Sequence, residues 1–186
     1  MNYYLSKLSS KIKNKKVSIL FIGQNDFSTR QALSLSGKGY QVYFYNEMGI
    51  SKIEELIKNN VHLTTLVYDV FDVDVIVLNQ PDKLKQSEIG DYLEKKMSWV
   101  NQFFHAGVLV MVDASLNKLV DKPIKNSLEY AAYNDPSSPL IQNYKVNENY
   151  FFSEFVSQNG IEIKKVFQSD NEEVVEIAVE LFRETK

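Results

Sequence analysis

The chain of 186 residues contains no cysteine, which removes disulfides, thiolate catalysis and thiolate metal sites together. A reducing, cytoplasmic setting agrees with that composition. No apolar run approaches the roughly 18 residues that a membrane span requires. Met1 to Lys16 also lacks the apolar core of a signal peptide. Basic excess is missing too: the net charge of −3 argues against a general nucleic-acid surface. Only two histidines occur, His62 in a connector and His105 near a predicted helix end, and nothing in the spacing joins them. His105 suits the negative end of its helix better than a catalytic role. A Ser-His-Asp site would also need a nucleophile elbow, and no G-x-S-x-G is present. Glycine and proline number seven and four, few enough that each marks a boundary.

What remains is 44% hydrophobic and 12% aromatic, enough for one substantial core and too short for two. Met1 to Lys16 holds five lysines and no acid, with Tyr4, Leu5, Leu8 and Ile12 on one helical face. This basic amphipathic lead-in reads first as a helix packed on its own domain. Its lysines would also suit weak contact with an anionic membrane surface. Residues 17–186 then read as a single α/β domain.

The organising stretch is Val17 to Asp26, an apolar run closed by Gly23 and the polar Gln24, Asn25 and Asp26. It reads as a central parallel strand running into a tight loop, with a helix from Ser28 to Gly37 behind it. Tyr40 to Tyr45, Val73 to Leu78, Val108 to Val112 and Ile161 to Phe167 read as four further strands. Pro81 prevents the third strand from continuing. Helices are predicted after Ser51, from Ser87 to about His105, over Tyr150 to Ser157 and after Ser169. Ser51 with Glu54, and Ser169 with Glu172, match capping boxes. Val61 to Val70 suits a helix turn and a short strand equally. Alternating strands and helices predict a three-layer α/β/α sandwich, flavodoxin- or Rossmann-like, with a mainly parallel five-stranded sheet in the order 2-1-3-4-5. Leu116 to Asn149 breaks the rhythm with Pro123, Pro136 and Pro139, and is expected as a loop-rich insertion covering the carboxyl edge of the sheet.

In such folds ligands bind outside the carboxyl ends of the strands. The candidate ligand-binding residues are therefore Gly23, Gln24, Asn25, Asp26, Asn79, Gln80, Asp113 and Ser115. Their chemistry is less specific than their place, because strand ends also need Asn, Asp and Ser for turns and caps. A dinucleotide fingerprint would require G-x-G-x-x-G, and only Gly23 is present; a Walker-type phosphate loop is missing as well. Asp26 and Asp113 could share a Mg²⁺, but capping roles outweigh that, so neither a metal nor a cofactor is assigned. The layout is similar to response-regulator receiver domains, yet Asn79 stands where those place the phosphoaccepting aspartate.

Between Val73 and Leu140 the runs Asp74 to Asn79, Phe104 to Val112 and Asp135 to Leu140 resemble class I glutamine-amidotransferase-like domains, in particular noncatalytic members. The nucleophilic cysteine of that family is absent, so the resemblance implies a flavodoxin-like fold and a binding role without amidotransferase activity. The first expectation is thus a non-catalytic binding or assembly module, taking a protein partner or a small polar ligand. The alternative is a nucleotide or nucleotide-sugar binding enzyme domain, such as the amino-terminal half of a glycosyltransferase, which the opening strand Ile19 to Gly23 resembles.

Overall fold

The computed structural model describes residues 3–65, 70, 72–103, 109–113, 150–158, 161–168 and 172–182. In chain order these form α1 (Tyr3–Lys13), β1 (Ser18–Ile22), α2 (Asp26–Gly37), β2 (Gln41–Tyr45), α3 (Ile53–Lys58), β3 (Val61–Thr64) and β4 (Val75–Leu78). They continue with α4 (Ile89–Phe103), β5 (Leu109–Asp113), β6 (Tyr150–Gln158), β7 (Ile161–Gln168) and α5 (Glu172–Phe182). The strands join in one seven-stranded sheet ordered β3-β2-β1-β4-β5-β6-β7. All neighbours run parallel except β6 and β7, which form an antiparallel pair.

Register explains why the central strands read as unbroken apolar runs. Ile19 lies level with Val42 and Val75, and Phe21 with Phe44 and Val77, so these side chains share one face of the sheet. Phe21 and Phe44 stack there with ring centroids 5.7 Å apart. Leu5, Leu8 and Ile12 of α1, Ala32 and Leu35 of α2, Leu56 of α3, and Ile177, Ala178 and Leu181 of α5 complete that core. The lysine-rich lead-in therefore buries its apolar stripe against its own domain. On the other face Leu20, Ile22, Ile76, Leu78 and Val110 are equally buried. There α4 brings Trp99 edge-on to Tyr45. With both faces covered, alternation of polar and apolar residues has no place in β1 or β4.

The three-layer, mainly parallel α/β class is as the sequence predicts, and so is the order β2-β1-β4-β5 of the first four predicted strands. Two assignments need correction. Tyr150 to Ser157, expected as a helix, is β6, inserted between β5 and β7; its Tyr150, Phe151, Phe152, Phe155 and Val156 are β-formers whose preference wins. Val61 to Thr64, left open between turn and strand, is β3 at the sheet edge. The sheet consequently has seven strands where five were expected. The insertion expected over residues 116–149, with the capping box at Ser169, lies outside the described residues. Among the described residues no helix is long and apolar enough to cross a membrane.

At the amino edge one carboxylate ties α1 to the sheet. Asp74, just before β4, accepts hydrogen bonds from the Ser18 backbone N–H at 3.0 Å and the Ser18 hydroxyl at 3.2 Å. Its other oxygen pairs with Lys11 of α1. The Asp74 side chain is 9% exposed. Removing it would strand a backbone donor and a partly buried ammonium. Asp74→Ala should therefore lower stability by about 2 kcal/mol, read as a lower urea midpoint at unchanged m; an unchanged midpoint would contradict this role.

Candidate functional site

Where β1 ends, the chain passes over the end of β4 at very short range. Gly23 has φ +87°, and a Cβ placed on it would lie 2.2 Å from the Asn79 carbonyl oxygen and 2.7 Å from the Tyr92 hydroxyl. Only glycine tolerates both that backbone conformation and that approach. The crossing is held on every side. The Gly23 N–H donates to the Tyr45 carbonyl at 3.0 Å, the Asn79 N–H to the Ile22 carbonyl at 2.8 Å, and the Tyr92 hydroxyl to the Asn79 carbonyl at 3.1 Å. Asn79 is fully buried, and its Oδ1 has no hydrogen-bond partner among the described residues. This is the point at which the strand order reverses, with β2 on one side of β1 and β4, reached from β3, on the other, the usual ligand position in such sheets.

The loops around the crossing are knitted together. Gln24 is buried, with its amide spanning to the loop after β2: Nε2 donates to the Ser51 carbonyl at 3.0 Å, and Oε1 accepts from the Ser51 N–H at 2.6 Å. That use of Ser51 displaces the expected capping box, and α3 begins after Lys52, at φ 55° with no side-chain cap. The Gln24 carbonyl accepts from the Asp82 N–H at 2.9 Å. Asn25 Nδ2 reaches the Gln80 carbonyl at 2.9 Å.

Asn25, one residue earlier than expected, caps α2. Its Oδ1 accepts from the Ser28 N–H at 2.7 Å, and its own N–H donates to Ser28 Oγ at 2.9 Å. Asp26 occupies the first helical position with its side chain 82% exposed, 3.1 Å from Lys52.

Gly23, Gln24, Asn25, Asp26, Asn79 and Gln80 are thus brought to one edge. Asp113 closes β5 one residue beyond the Leu78 to Val112 pairing, at the same edge. Ser115 lies outside the described residues. Among those residues no group of three or more His, Asp or Glu is placed to hold a metal. His62 is exposed on β3 against the Tyr43 ring, and His105 is outside the described residues.

A second cluster beside the crossing was not anticipated. Lys96 of α4 has a side chain only 1% exposed, with Nζ 2.8 Å from Glu47 Oε2 and 3.6 Å from the centroid of the Trp99 ring. Tyr92 and Tyr45 supply two further ring faces at 5.2 and 5.5 Å, and Lys95 shares Glu47 at 3.2 Å. Burial pushes the Lys96 ammonium down to about 8, opposed by the hydrogen bond and charge of Glu47. Burial pushes the Glu47 carboxyl up, but Lys96 and Lys95 together outweigh it and leave the group below its usual range. Burial, with the nearby Glu47 charge, pushes the Tyr92 hydroxyl well above its usual range. A signal existed: Tyr92, Lys96 and Trp99 share a helical stripe, and a lysine between two aromatics on an inward face requires a partner.

No protein-family model and no curated protein matches the chain. Solved structures do. An NDP-N-acetyl-D-galactosaminuronic acid dehydrogenase from Methanosarcina mazei Go1 matches over 98% of this chain and 44% of its own, with TM-score 0.61 at 12% identity. A glycerol-3-phosphate dehydrogenase from Coxiella burnetii matches over 92% and 52%, with TM-score 0.61 at 13% identity. A 5-formyl-3-hydroxy-2-methylpyridine 4-carboxylic acid 5-dehydrogenase, described as an NAD⁺ dependent dismutase, matches over 88% and 53%, with TM-score 0.55 at 14% identity. The fold is Rossmann-like. The chain spans about half the length of these proteins.

These likenesses correct the expected relation to glutamine-amidotransferase-like domains, because the similar structures are dehydrogenases. The non-catalytic binding or assembly module inferred alongside that relation is overturned with it. The short runs that suggested the relation, such as Asp74 to Asn79, are what any central parallel strand with a polar end looks like.

A dinucleotide held in the usual Rossmann manner does not fit this edge. That grip needs glycine at the first, third and sixth places of the loop. Here those places are Gly23, Asn25 and Ser28, and Asn25 and Ser28 already bond each other across the start of α2.

Two measurements check the geometry. Gly23→Ala should cost on the order of 3 kcal/mol, since the methyl meets backbone at a positive φ; a loss within about 0.5 kcal/mol, the scale of an ordinary surface change, would refute the crossing. For Lys96, the unfolded chain keeps its proton up to about pH 10.4, whereas the folded group loses it near 8. Between those values the unfolded state binds more protons, so the contribution of Lys96 to stability rises with pH. The wild-type urea midpoint should therefore gain on that of Lys96→Met from pH 8 to 10, and a constant difference would exclude a buried, depressed lysine.

Proposed function

We propose that this chain is a nucleotide-binding domain of an enzyme, with its ligand lying across the carboxyl edge outside β1, β2 and β4. The observation that carries the reading is the crossing of Gly23 over Asn79 where the sheet reverses its winding. Rossmann-like sheets take nucleotides at that place. The likeness in fold to dehydrogenases supports it. In this reading Asn25, Asp26, Gln80, Asp113 and Ser115 are the residues offered to the ligand, and the buried Gly23, Gln24 and Asn79 shape the edge beneath it. Glu47 stands shortly after β2, where related sites use an acid against a ribose hydroxyl. Asn79 Oδ1, without a partner among the described residues, is one buried acceptor at the crossing. A cytoplasmic setting suits such a ligand and a chain without cysteine.

Thermal-shift measurements with nucleosides, nucleoside mono- and diphosphates, nucleotide sugars and NAD⁺ test the reading. A ligand at 100 times its Kd stabilises by about 2.7 kcal/mol, a shift of several degrees for a domain of this size. At least one nucleoside-containing compound should produce it. Silence across the whole panel would overturn the assignment.

A further inference from the structure

The beginning of α2 is where this edge departs most from a phosphate-binding one. A helix amino terminus attracts phosphate because its first N–H groups lack partners and carry the positive end of the dipole. In this chain two of those N–H groups and part of the dipole are already used. The Ser28 N–H is taken by Asn25 Oδ1 at 2.7 Å, and the Asn25 N–H by Ser28 Oγ at 2.9 Å. The Gly23 N–H is turned away, onto the Tyr45 carbonyl. The Asp26 carboxylate, 82% exposed at the first helical position, sets a negative charge against a phosphate that approaches, and it also holds Lys52 Nζ at 3.1 Å, so that neighbouring cation is already engaged. Asn25 also reaches across to the Gln80 carbonyl at 2.9 Å, so its side chain bridges the gap between the β1 and β4 loops along which a diphosphate would run.

We propose that Asn25 and Asp26 are specificity-determining residues that exclude a diphosphate from the start of α2, so that this edge selects ligands through the nucleoside. The proposal rests on the nucleotide-binding reading above and names its ligand class: nucleosides, or nucleotides whose phosphate lies away from α2. Substituting glycine for a capping Asn costs a helix little, so the device can be removed without removing the fold.

Isothermal titration of adenosine, uridine, ADP, UDP and NAD⁺ into the wild type, Asn25→Gly, Asp26→Asn and the double variant tests it. The wild type should bind a nucleoside at least as tightly as its diphosphate. The ratio of diphosphate affinity to nucleoside affinity, and of NAD⁺ affinity to nucleoside affinity, should rise tenfold or more in the double variant relative to the wild type. Asp26→Asn, an exposed and nearly isosteric change, should show part of that gain and keeps the test open if the double variant fails to fold. Its gain should also shrink as salt rises, because a charge has been removed. Tighter binding of a diphosphate than of its nucleoside by the wild type would overturn the exclusion and leave the nucleotide reading standing. The same holds if removing Asn25 and Asp26 yields no gain. Absence of binding by every probe to every variant would overturn both.

Discussion

Everything at the carboxyl edge depends on one close approach, the passage of Gly23 over the Asn79 carbonyl with no room for a side chain. Between β1 and β4 the strand order reverses, and the chain leaving β1 passes directly against the Asn79 carbonyl at the end of β4. The consequences spread from there. Asn79 is sealed from solvent, the Tyr92 hydroxyl closes over its carbonyl, and α4 is fixed with Lys96 one turn further along. Gln24 is forced inward beside the crossing and clasps Ser51, which sets where α3 begins. The amino edge has an independent anchor in Asp74, so the two ends of the sheet are secured by unlike means, a steric fit at one and a buried carboxylate at the other.

The central strands were legible because burial on both faces writes itself directly into sequence: Val17 to Ile22 and Val73 to Leu78 have almost nothing polar to offer solvent. The helices after them were legible through periodicity and end signals, within a residue or two. The edge elements were not. Val61 to Thr64 is short and half exposed, and its Thr and His fit a turn as readily as a strand. Tyr150 to Gln158 has aromatics at spacings that a helix and a strand can both use, and their β-forming preference together with a strand on either side decides between them. Ser51 shows the limit of local motifs: the capping box is present in sequence, and a tertiary contact from Gln24 takes the backbone groups it would have organised.

That the candidate residues share one edge was readable, and the side-chain chemistry around them much less so. Polar residues at strand ends identified Gly23 to Asp26 and Asn79 to Gln80 as neighbours, which the sheet order requires of any chain with this topology. The pair of Lys96 and Glu47 was hidden, since residues 49 positions apart come together only through the winding of the sheet. A buried ammonium among three aromatic rings would be costly without its carboxylate. Glu47, Tyr45, Tyr92 and Trp99 therefore form one unit around the lysine.

The unusual loop after β1 follows from what a helix amino terminus requires. Its first N–H groups must be met by something, and the choices are a ligand or the protein itself. Glycine in the third place of the loop leaves the task to a ligand, since it has no side chain and admits close approach. Asparagine there carries an oxygen at the distance a phosphate oxygen would occupy, and in this chain it is used, with Ser28 answering in the reverse direction. A helix so capped needs no ligand at these two groups, and a ligand must displace an intramolecular bond to reach the Ser28 N–H. The fold and the crossing glycine thus keep the general form of a Rossmann-like edge, while the loop after β1 meets its own helix amino terminus from within the chain.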